Sequence, residues 1–451
     1  MLLGILAFLM TALAGGDVRS DSFLEFGAAL AALVYLLTFA NIQLGLAILI
    51  VCIGFSPEVS IAGFNSIRFE DFLVPALLAA WILRSLKTRD DPLSSVVHKP
   101  FLFYLSAALI SCLIGIAFNE IRPGTSVSIL GKSLEYYLIF LILLNNIRTY
   151  AEFKAFVIFS LLVSLCAAVI SGAPVVTEAS THRVHGPEGE LANIFGGYII
   201  MHMAILVGLF LHSLSMRGRV LTLLGLAAFI HPLLYTYSRT SYAALTLATS
   251  IFALLKHRRL LILVLFALIL FPLIAPDAIV HRALTITTVV TEGGPESWRA
   301  RVSAWEASSP LIMSSPIFGN GLGAVAFGDV DNEYVHVVVD MGMMGLGFLI
   351  WLLVRTGLKM LRTYDELPAP GFMKGFVGGY IIALMTIVIH SFGATSLSAI
   401  RTMETFMMFT SFAMILAARR EEWLPDEEAD LREHERHHGN LALSRPLEPS
   451  L

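Results

Sequence analysis

Charged residues are scarce in this chain. Asp, Glu, Lys and Arg together make up 14% of the residues, whereas hydrophobic residues make up 57%. A soluble globular domain has about a quarter of its residues charged, so this composition argues against a soluble fold. The formal net charge of −4 is too small to indicate a nucleic-acid partner. The three cysteines, Cys52, Cys112 and Cys166, lie in apolar runs and imply no disulfide framework.

Long apolar runs are abundant instead, and each is about the length that crosses a hydrocarbon core of roughly 30 Å. Short alternating strands, which a transmembrane barrel would need, are missing. We therefore predict an all-α polytopic membrane protein with about 12–14 transmembrane helices. By hydropathy the candidate spans are roughly 1–15, 25–40, 42–56, 69–84, 101–118, 128–146, 153–172, 191–213, 219–236, 240–255, 259–275, 333–354, 374–391 and 402–418.

Basic residues are unevenly shared between the two sets of connecting loops. Most of them fall in one set and in the C-terminal segment, so the positive-inside rule places both termini in the cytoplasm. The opposite, outer loops contain arginine but no lysine. A planar guanidinium grips phosphate in a fork, so arginines gathered at the outer leaflet would suit a lipid diphosphate. These outer arginines are at positions 19, 68, 122, 183, 239, 282, 299, 301 and 401.

The domain organisation predicted from these patterns is simple. Residues 1–420 form a single transmembrane domain, in which residues 276–332 are one large periplasmic loop. Residues 421–451 are charged and contain Pro425, Pro446 and Pro449, which is typical of a disordered cytoplasmic tail.

Three of the outer arginines lie in distinctive surroundings. Arg183 lies in a turn rich in Gly and Pro, and Arg239 lies among hydroxyl residues in TYSRTS. Arg301 has Trp298 and Trp305 at i−3 and i+4, which share one face if the stretch is helical. Two simpler interpretations remain open. Arg239 could be a snorkelling residue at the membrane interface, and the tryptophan stretch could be an interfacial helix.

The segment from residue 316 to 353 adds glycines and carboxylates. The repeat Gly319, Gly321 and Gly323 permits tight backbone turns, but it is not a dinucleotide fingerprint. Asp331 precedes the next span, where it could act as a base or simply cap the helix. His336 and Asp340 lie one turn apart in that span, as a buried pair or as residues that line a cavity.

Four motifs in order then resemble a known family. They are RVHG…ELANIFGGY, LLYTYSRTSYAAL, RVSAWEA…SPIFGNGLGAV and DNEYVHVVVDMGMMGLG, which together extend over about residues 180–360. In this order they resemble the O-antigen ligase/polymerase family, the Wzy-type membrane glycosyltransferases. The first half of the chain is similar to the family only in hydropathy.

The resemblance implies a GT-C-like helical fold and a bacterial inner-membrane enzyme with its active site on the periplasmic side. The donor would be a glycan on undecaprenyl diphosphate, and neither a metal nor another cofactor is needed. A flippase and a chain-length regulator of the same pathway are the expected partners, besides the bilayer. Carried over by position, the diphosphate and glycan would be bound by Arg183, Arg239, Arg301, Asn193, Ser238, Asn332 and Tyr334, with Asp331, Arg301 and Arg239 as catalytic residues.

One position departs from the family pattern. Family ligases, which attach glycan to lipid A core, have a histidine where this chain has Asp331, and there the histidine is the proposed base. We therefore expect Asp331 to take that role and favour a polymerase of O-antigen or exopolysaccharide repeat units over a ligase. His185, Glu188 and Glu190 are competing candidates for the base.

A membrane transporter of a small anion or lipid-linked sugar is the other alternative. His390 and Lys132 would then be buried functional groups, although Lys132 and Glu135 at i,i+3 are more typical of an internal ion pair. The sequence shows no internal symmetry between halves, and its functional charges gather in the outer loops rather than at the midplane.

Overall fold

The computed structural model describes residues 34–56, 59–61, 64–88, 92–177, 183–187, 190–284, 296–368 and 370–443. Its helices are α1 (Ile42–Phe55), α2 (Glu70–Thr88), α3 (His98–Phe118), α4 (Pro123–Asn146), α5 (Tyr150–Thr177), α6 (Ala192–His212), α7 (Met216–Tyr235), α8 (Arg239–Lys256), α9 (Arg258–Ile274), α10 (Asp277–Leu284), α11 (Glu296–Ser314), α12 (Glu333–Glu366), α13 (Phe372–His390) and α14 (Ile400–Leu443). A short antiparallel hairpin of β1 (Val59–Ile61) and β2 (Phe64–Ile67) lies between α1 and α2.

The fold is that of a polytopic helical membrane protein, as predicted. Within the described residues, seven helices are long and apolar enough to cross a bilayer: α3, α4, α5, α6, α7, α12 and α13. Other predicted spans are helical but shorter, such as α1 with 14 residues and α9 with 17 residues. The predicted span at 1–15 and most of that at 25–40 lie outside the described residues, so the total of 12–14 stays a prediction.

Helices α6 and α13 form the centre of the bundle. Both are buried along most of their length, whereas α7 exposes leucines such as Leu221 and Leu224 on its outer face. Glycines allow the two central backbones to approach closely, because a Cβ on Gly208 of α6 would lie 2.1 Å from the backbone nitrogen of Gly379. Gly375 and Gly379 lie four residues apart, the spacing of small residues at close helix contacts in membranes.

Buried charged residues join the outer ends of α2, α4 and α14. The guanidinium of Arg68 lies 2.7 Å from Glu70 and 3.4 Å from Glu404, and all three side chains are inaccessible to solvent. The Lys132–Glu135 ion pair is confirmed at 2.9 Å, and Lys132 also contacts Asp71. Arg68, one of the predicted outer-loop arginines, is therefore buried among carboxylates, which gives this cation a structural role in the packing.

The C-terminal segment differs from the predicted disordered tail. Helix α14 continues through Leu443, and Trp423, Glu427 and Asp430 of its polar half contact the rest of the bundle. Trp423 is buried against Phe153, with ring centroids 5.3 Å apart, and Glu427 accepts a 2.8 Å hydrogen bond from the backbone nitrogen of Met373 at the start of α13. The Glu, Ala, Leu and Arg residues of this segment favour helix, and these contacts anchor it.

We expect Gly208→Ala to destabilise the bundle, because the new methyl group would collide with the α13 backbone. Overpacking of this kind costs about 1–3 kcal/mol. Thermal unfolding of the purified protein in detergent measures the loss. Gly131→Ala is the matched control, because a Cβ there meets nothing within 4 Å. Equal melting temperatures for the two variants would contradict the close approach of α6 and α13.

Candidate active site

Two of the predicted arginines, Arg183 and Arg239, lie at the turn between α7 and α8. Helix α8 begins at Arg239, and the Ser238 side chain caps it by accepting a hydrogen bond from the Ser241 backbone nitrogen. The segment that contains Arg183 docks on this turn, since the Arg183 Nε donates to the Thr236 carbonyl at 3.0 Å. Arg183 and Arg239 therefore flank one turn.

Arg301 and Asp331 form an ion pair at the start of α12. The Nε and Nη2 atoms of Arg301 both donate to Asp331 Oδ2, each at 3.1 Å. Both side chains are partly exposed. Arg301 lies on α11 between Trp298 and Trp305, whose rings contact each other with centroids 5.6 Å apart, which confirms that these residues share a helix face.

Asn332, and not Asp331, caps helix α12. The Asn332 Oδ1 accepts hydrogen bonds from the backbone nitrogens of Tyr334 and Val335 at 3.0 and 3.2 Å. The alternative that Asp331 is only a helix cap is therefore wrong. Its carboxylate instead faces Arg301. In that position it can accept a proton from an acceptor hydroxyl or hold the guanidinium in an ion pair.

The turn between α13 and α14 ties these segments together. Asn332 Nδ2 donates to the Phe392 carbonyl at 3.3 Å, and Asn193 Nδ2 donates to the neighbouring Gly393 carbonyl at 2.9 Å. Tyr334 reaches the same region, since its hydroxyl donates to the Val388 carbonyl at 2.7 Å. The turn therefore places the starts of α6 and α12 side by side.

A buried chain of hydrogen bonds runs through this turn with one consistent direction. Ser396 donates to His390 Nδ1 at 2.6 Å, and His390 Nε2 donates to Ser241 Oγ at 2.9 Å. Ser241 donates to Ser238 Oγ at 2.7 Å, and Ser238 donates to Asn193 Oδ1 at 2.5 Å. Because the Ser241 hydroxyl donates its single proton to Ser238, the bond between His390 and Ser241 has His390 Nε2 as its donor. Five polar side chains from α6, α8, α13 and the turn are thereby fixed relative to Arg239.

Glu333 fastens the same turn from the other side. Its fully buried carboxylate accepts hydrogen bonds from the Leu397 and Ser398 backbone nitrogens at 2.9 and 3.0 Å, and from the Ser398 hydroxyl at 2.7 Å. The carboxylate satisfies donors just before helix α14, which is the favoured place for a negative group. Glu333 is therefore engaged in holding the turn.

The glycine repeat packs its loop against α3 and α12. Gly319 has φ +77°, and a Cβ there would lie 2.2 Å from the Asp340 carbonyl oxygen. Asp340 holds the loop by accepting a 2.9 Å hydrogen bond from the Gly323 nitrogen, and its carbonyl accepts one from Ser111 at 2.5 Å. The choice left open for Asp340 is thereby decided: it is a buried structural residue under the loop.

The competing candidates for the base that the structure describes have partners other than Arg301 and Asp331. Glu190 accepts a 2.9 Å hydrogen bond from Arg401, which is buried and also reaches the Ile53 carbonyl. Arg401, another of the predicted outer arginines, is therefore buried in an ion pair. His185 contacts the Glu190 carbonyl at 3.2 Å, and Glu188 lies outside the described residues.

No cluster of three or more His, Cys, Asp or Glu in the described part of the chain is arranged to hold a metal ion. The site as described is instead a set of arginines, amides and hydroxyls around one exposed carboxylate. Such groups can bind and stabilise a phosphate anion through charge-assisted hydrogen bonds.

Comparison with known proteins supplies the family. The model of the family described as O-antigen ligase, Wzy_C, matches residues 224–352. This match over residues 224–352 supports membership of the O-antigen ligase/polymerase family. No curated protein matches the chain. The match supports a glycan-transferring role in the O-antigen pathway.

The matched segment of this O-antigen ligase family contains Arg239, Arg301 and Asp331, but it ends before the α13–α14 turn. The fold brings Asn193, from before the segment, and His390, from after it, onto the same hydrogen-bond chain. Sequence reasoning missed the roles of Ser241, Ser396 and Ser398. The polar density of HSFGATSLS after an apolar span was the signal that could have identified this turn.

We expect Ser241→Ala to destabilise the protein, because it interrupts the buried chain between Ser238 and His390. Leaving buried polar groups unpaired costs about 1–3 kcal/mol. The control is Ser250→Ala in the same helix, where the hydroxyl bonds only to the Thr246 carbonyl of its own helix. Thermal unfolding compares the two, and equal stability would contradict the described chain.

Proposed function

We propose that this protein transfers a glycan from undecaprenyl diphosphate to an acceptor hydroxyl, and that it polymerises O-antigen or exopolysaccharide repeat units. The observation that supports this most is the Arg301–Asp331 pair, which places a cation and a carboxylate together at a partly exposed position. Arg183 and Arg239 on the α7–α8 turn supply further guanidinium groups for a diphosphate. We place this site on the periplasmic face of the inner membrane, with both termini in the cytoplasm.

The proposed reaction is a displacement at the anomeric carbon of the donor sugar. The acceptor oxygen forms a bond to that carbon, and the bond from the carbon to the diphosphate oxygen breaks. Undecaprenyl diphosphate leaves with the electron pair, while the acceptor proton passes to the Asp331 carboxylate. Arg301 and Arg239 stabilise the negative charge that develops on the leaving group.

Arg301 has two tasks in this scheme, because its guanidinium already holds Asp331. Both hydrogen bonds from Arg301 reach the same carboxylate oxygen, Oδ2. The other oxygen, Oδ1, is not used by Arg301 and can accept the proton. A diphosphate bound beside Asp331 would share the same cation. The proposed scheme therefore couples donor binding to the position of the base.

Two observations bear on the chemical class of the acceptor. Asp331 replaces the histidine of family ligases, which supports a polymerase with a lipid-linked repeat unit as acceptor. The family description itself names a ligase, which supports transfer to lipid A core as the second candidate. A flippase that delivers the donor and a chain-length regulator are the proposed partners of the polymerase.

Deletion of the gene separates the candidates. We expect a gel of surface polysaccharide to lose long chains and to keep a band of core plus one repeat unit, because unpolymerised units can still be attached. Loss of all attached polymer would contradict a polymerase and support the ligase. Unchanged polysaccharide with altered solute uptake would contradict both and support a transporter.

We expect Arg301→Lys to lower glycan transfer about 100-fold, the order lost when one preorganised charge-stabilising donor is removed. Lysine keeps the charge but loses the fork that reaches Asp331. The control is Arg299→Lys, an exposed position two residues away on α11. The yield of polymer in the complemented deletion strain is the readout, and equal yields would remove Arg301 from the mechanism.

Asp331→Asn tests the base separately. The amide keeps the size and can still contact Arg301, but it cannot accept the acceptor proton, so we expect transfer to fall by about 10²–10⁴-fold. Donor binding should be retained. If polymer length and yield stay unchanged in Asp331→Asn and in Asp331→Ala, Asp331 is not the base.

A further inference from the structure

A cavity that contains basic side chains lies between α3, α12 and α14. Its volume is about 780 Å³, and basic side chains from two helices line it: Lys99 from the start of α3, and Arg355 and Lys359 from α12. Trp351 and Met414 contribute apolar wall. A smaller cavity of about 210 Å³ shares Leu93 with it and adds the cations of Arg148 and Arg419.

The cavity lies at the opposite end of the bundle from the Arg301–Asp331 pair. Helix α12 begins beside that pair at Glu333 and reaches the cavity at Arg355. At 1.5 Å per residue the helix length between them is roughly 33 Å, an upper bound because α12 kinks at Gly342, and this is comparable with the thickness of the hydrocarbon core. The cavity therefore faces the other leaflet, where the positive-inside rule places cytoplasmic lipid.

Among the residues that the structure describes, no carboxylate that lines the cavity balances its positive charge. In the described ranges, neither Asp nor Glu lines either cavity. Lys99, Arg355 and Lys359 form no ion pair or hydrogen bond with any described residue. Cations from separate helices that converge on one cavity repel each other, so an anion bound between them would lower the free energy.

The surroundings of the cavity indicate that this anion is attached to a lipid. Trp351 packs against Phe103, with ring centroids 5.7 Å apart, and Phe103 and Val354 are half exposed on the outer surface of the bundle. Tryptophan beside exposed apolar residues is typical of the level where lipid headgroups meet acyl chains. The hydroxyls of Ser94 and Ser95 add polar groups at the same level.

We propose that this cavity binds the phosphate headgroup of an anionic phospholipid of the adjacent leaflet. Lys99, Arg355 and Lys359 contact the phosphate, and the acyl chains lie along Trp351 and Phe103. Basic pockets between transmembrane helices on the cytoplasmic side bind anionic headgroups in this way. The site is separate from the glycan-transfer site and does not depend on the proposed function.

Native mass spectrometry of the purified full-length protein tests the site, with phosphatidylglycerol and phosphatidylcholine added at equal concentrations. We expect phosphatidylglycerol to bind in preference. The triple variant Lys99→Gln, Arg355→Gln, Lys359→Gln should bind it about tenfold more weakly. The matched control is Arg258→Gln, Arg259→Gln, Arg362→Gln, which removes three exposed charges from outside the cavity.

Three outcomes would overturn the proposal. They are equal binding of the two lipids, equal losses in the cavity and control triples, and displacement of phosphatidylglycerol by inorganic phosphate, which would indicate a site for a free anion. Thermal unfolding in phosphatidylcholine verifies that the cavity triple is folded. If the triple variant is not folded, lipid binding of the single variant Arg355→Gln is compared with that of Arg362→Gln under the same criteria.

Discussion

Backbone polar groups inside a membrane protein need partners within the protein, because hydrocarbon offers none. The α13–α14 turn meets this constraint through side chains from elsewhere in the bundle. Asn193 and Asn332 donate to its carbonyls, and Glu333 accepts from its nitrogens. Each unmade contact of this kind would cost about 1–3 kcal/mol. The arrangement of the candidate site follows from the hydrogen bonds that these side chains make to the backbone of the turn.

The same constraint connects stability with the proposed chemistry. The side chains that hold the turn are immediate neighbours of the proposed functional ones: Asn332 follows Asp331, and Ser238 precedes Arg239. Electrostatic stabilisation of a leaving group is effective when the donors are held in place before the reaction begins. A buried, hydrogen-bonded support next to partly exposed charges provides that condition.

Hydropathy predicted the helices well because each membrane helix satisfies its own backbone and is recognisable from its own residues. The prediction of 191–213, for example, agrees with α6 at Ala192–His212. The tail was mispredicted because its helix depends on tertiary contacts of Trp423 and Glu427, which local composition does not reveal.

The candidate site was only partly predictable from sequence. Its arginines stood out because they occur in predicted outer loops, where positive charge is disfavoured, but the same argument also selected Arg68 and Arg401, which are buried in ion pairs. Their carboxylate partners are distant in sequence, so only the fold reveals the ion pairs. Asp331 and Asn332 are both good caps, and geometry alone assigns the cap to Asn332.

Reconstitution tests the central claim most directly. The full-length protein in liposomes is given a single undecaprenyl-diphosphate-linked repeat unit as both donor and acceptor. The account predicts longer lipid-linked glycans together with released undecaprenyl diphosphate, one molecule for each unit added. If the protein is folded and the repeat unit is recovered unchanged, even when lipid A core is supplied as an acceptor, the proposed glycan transfer is contradicted.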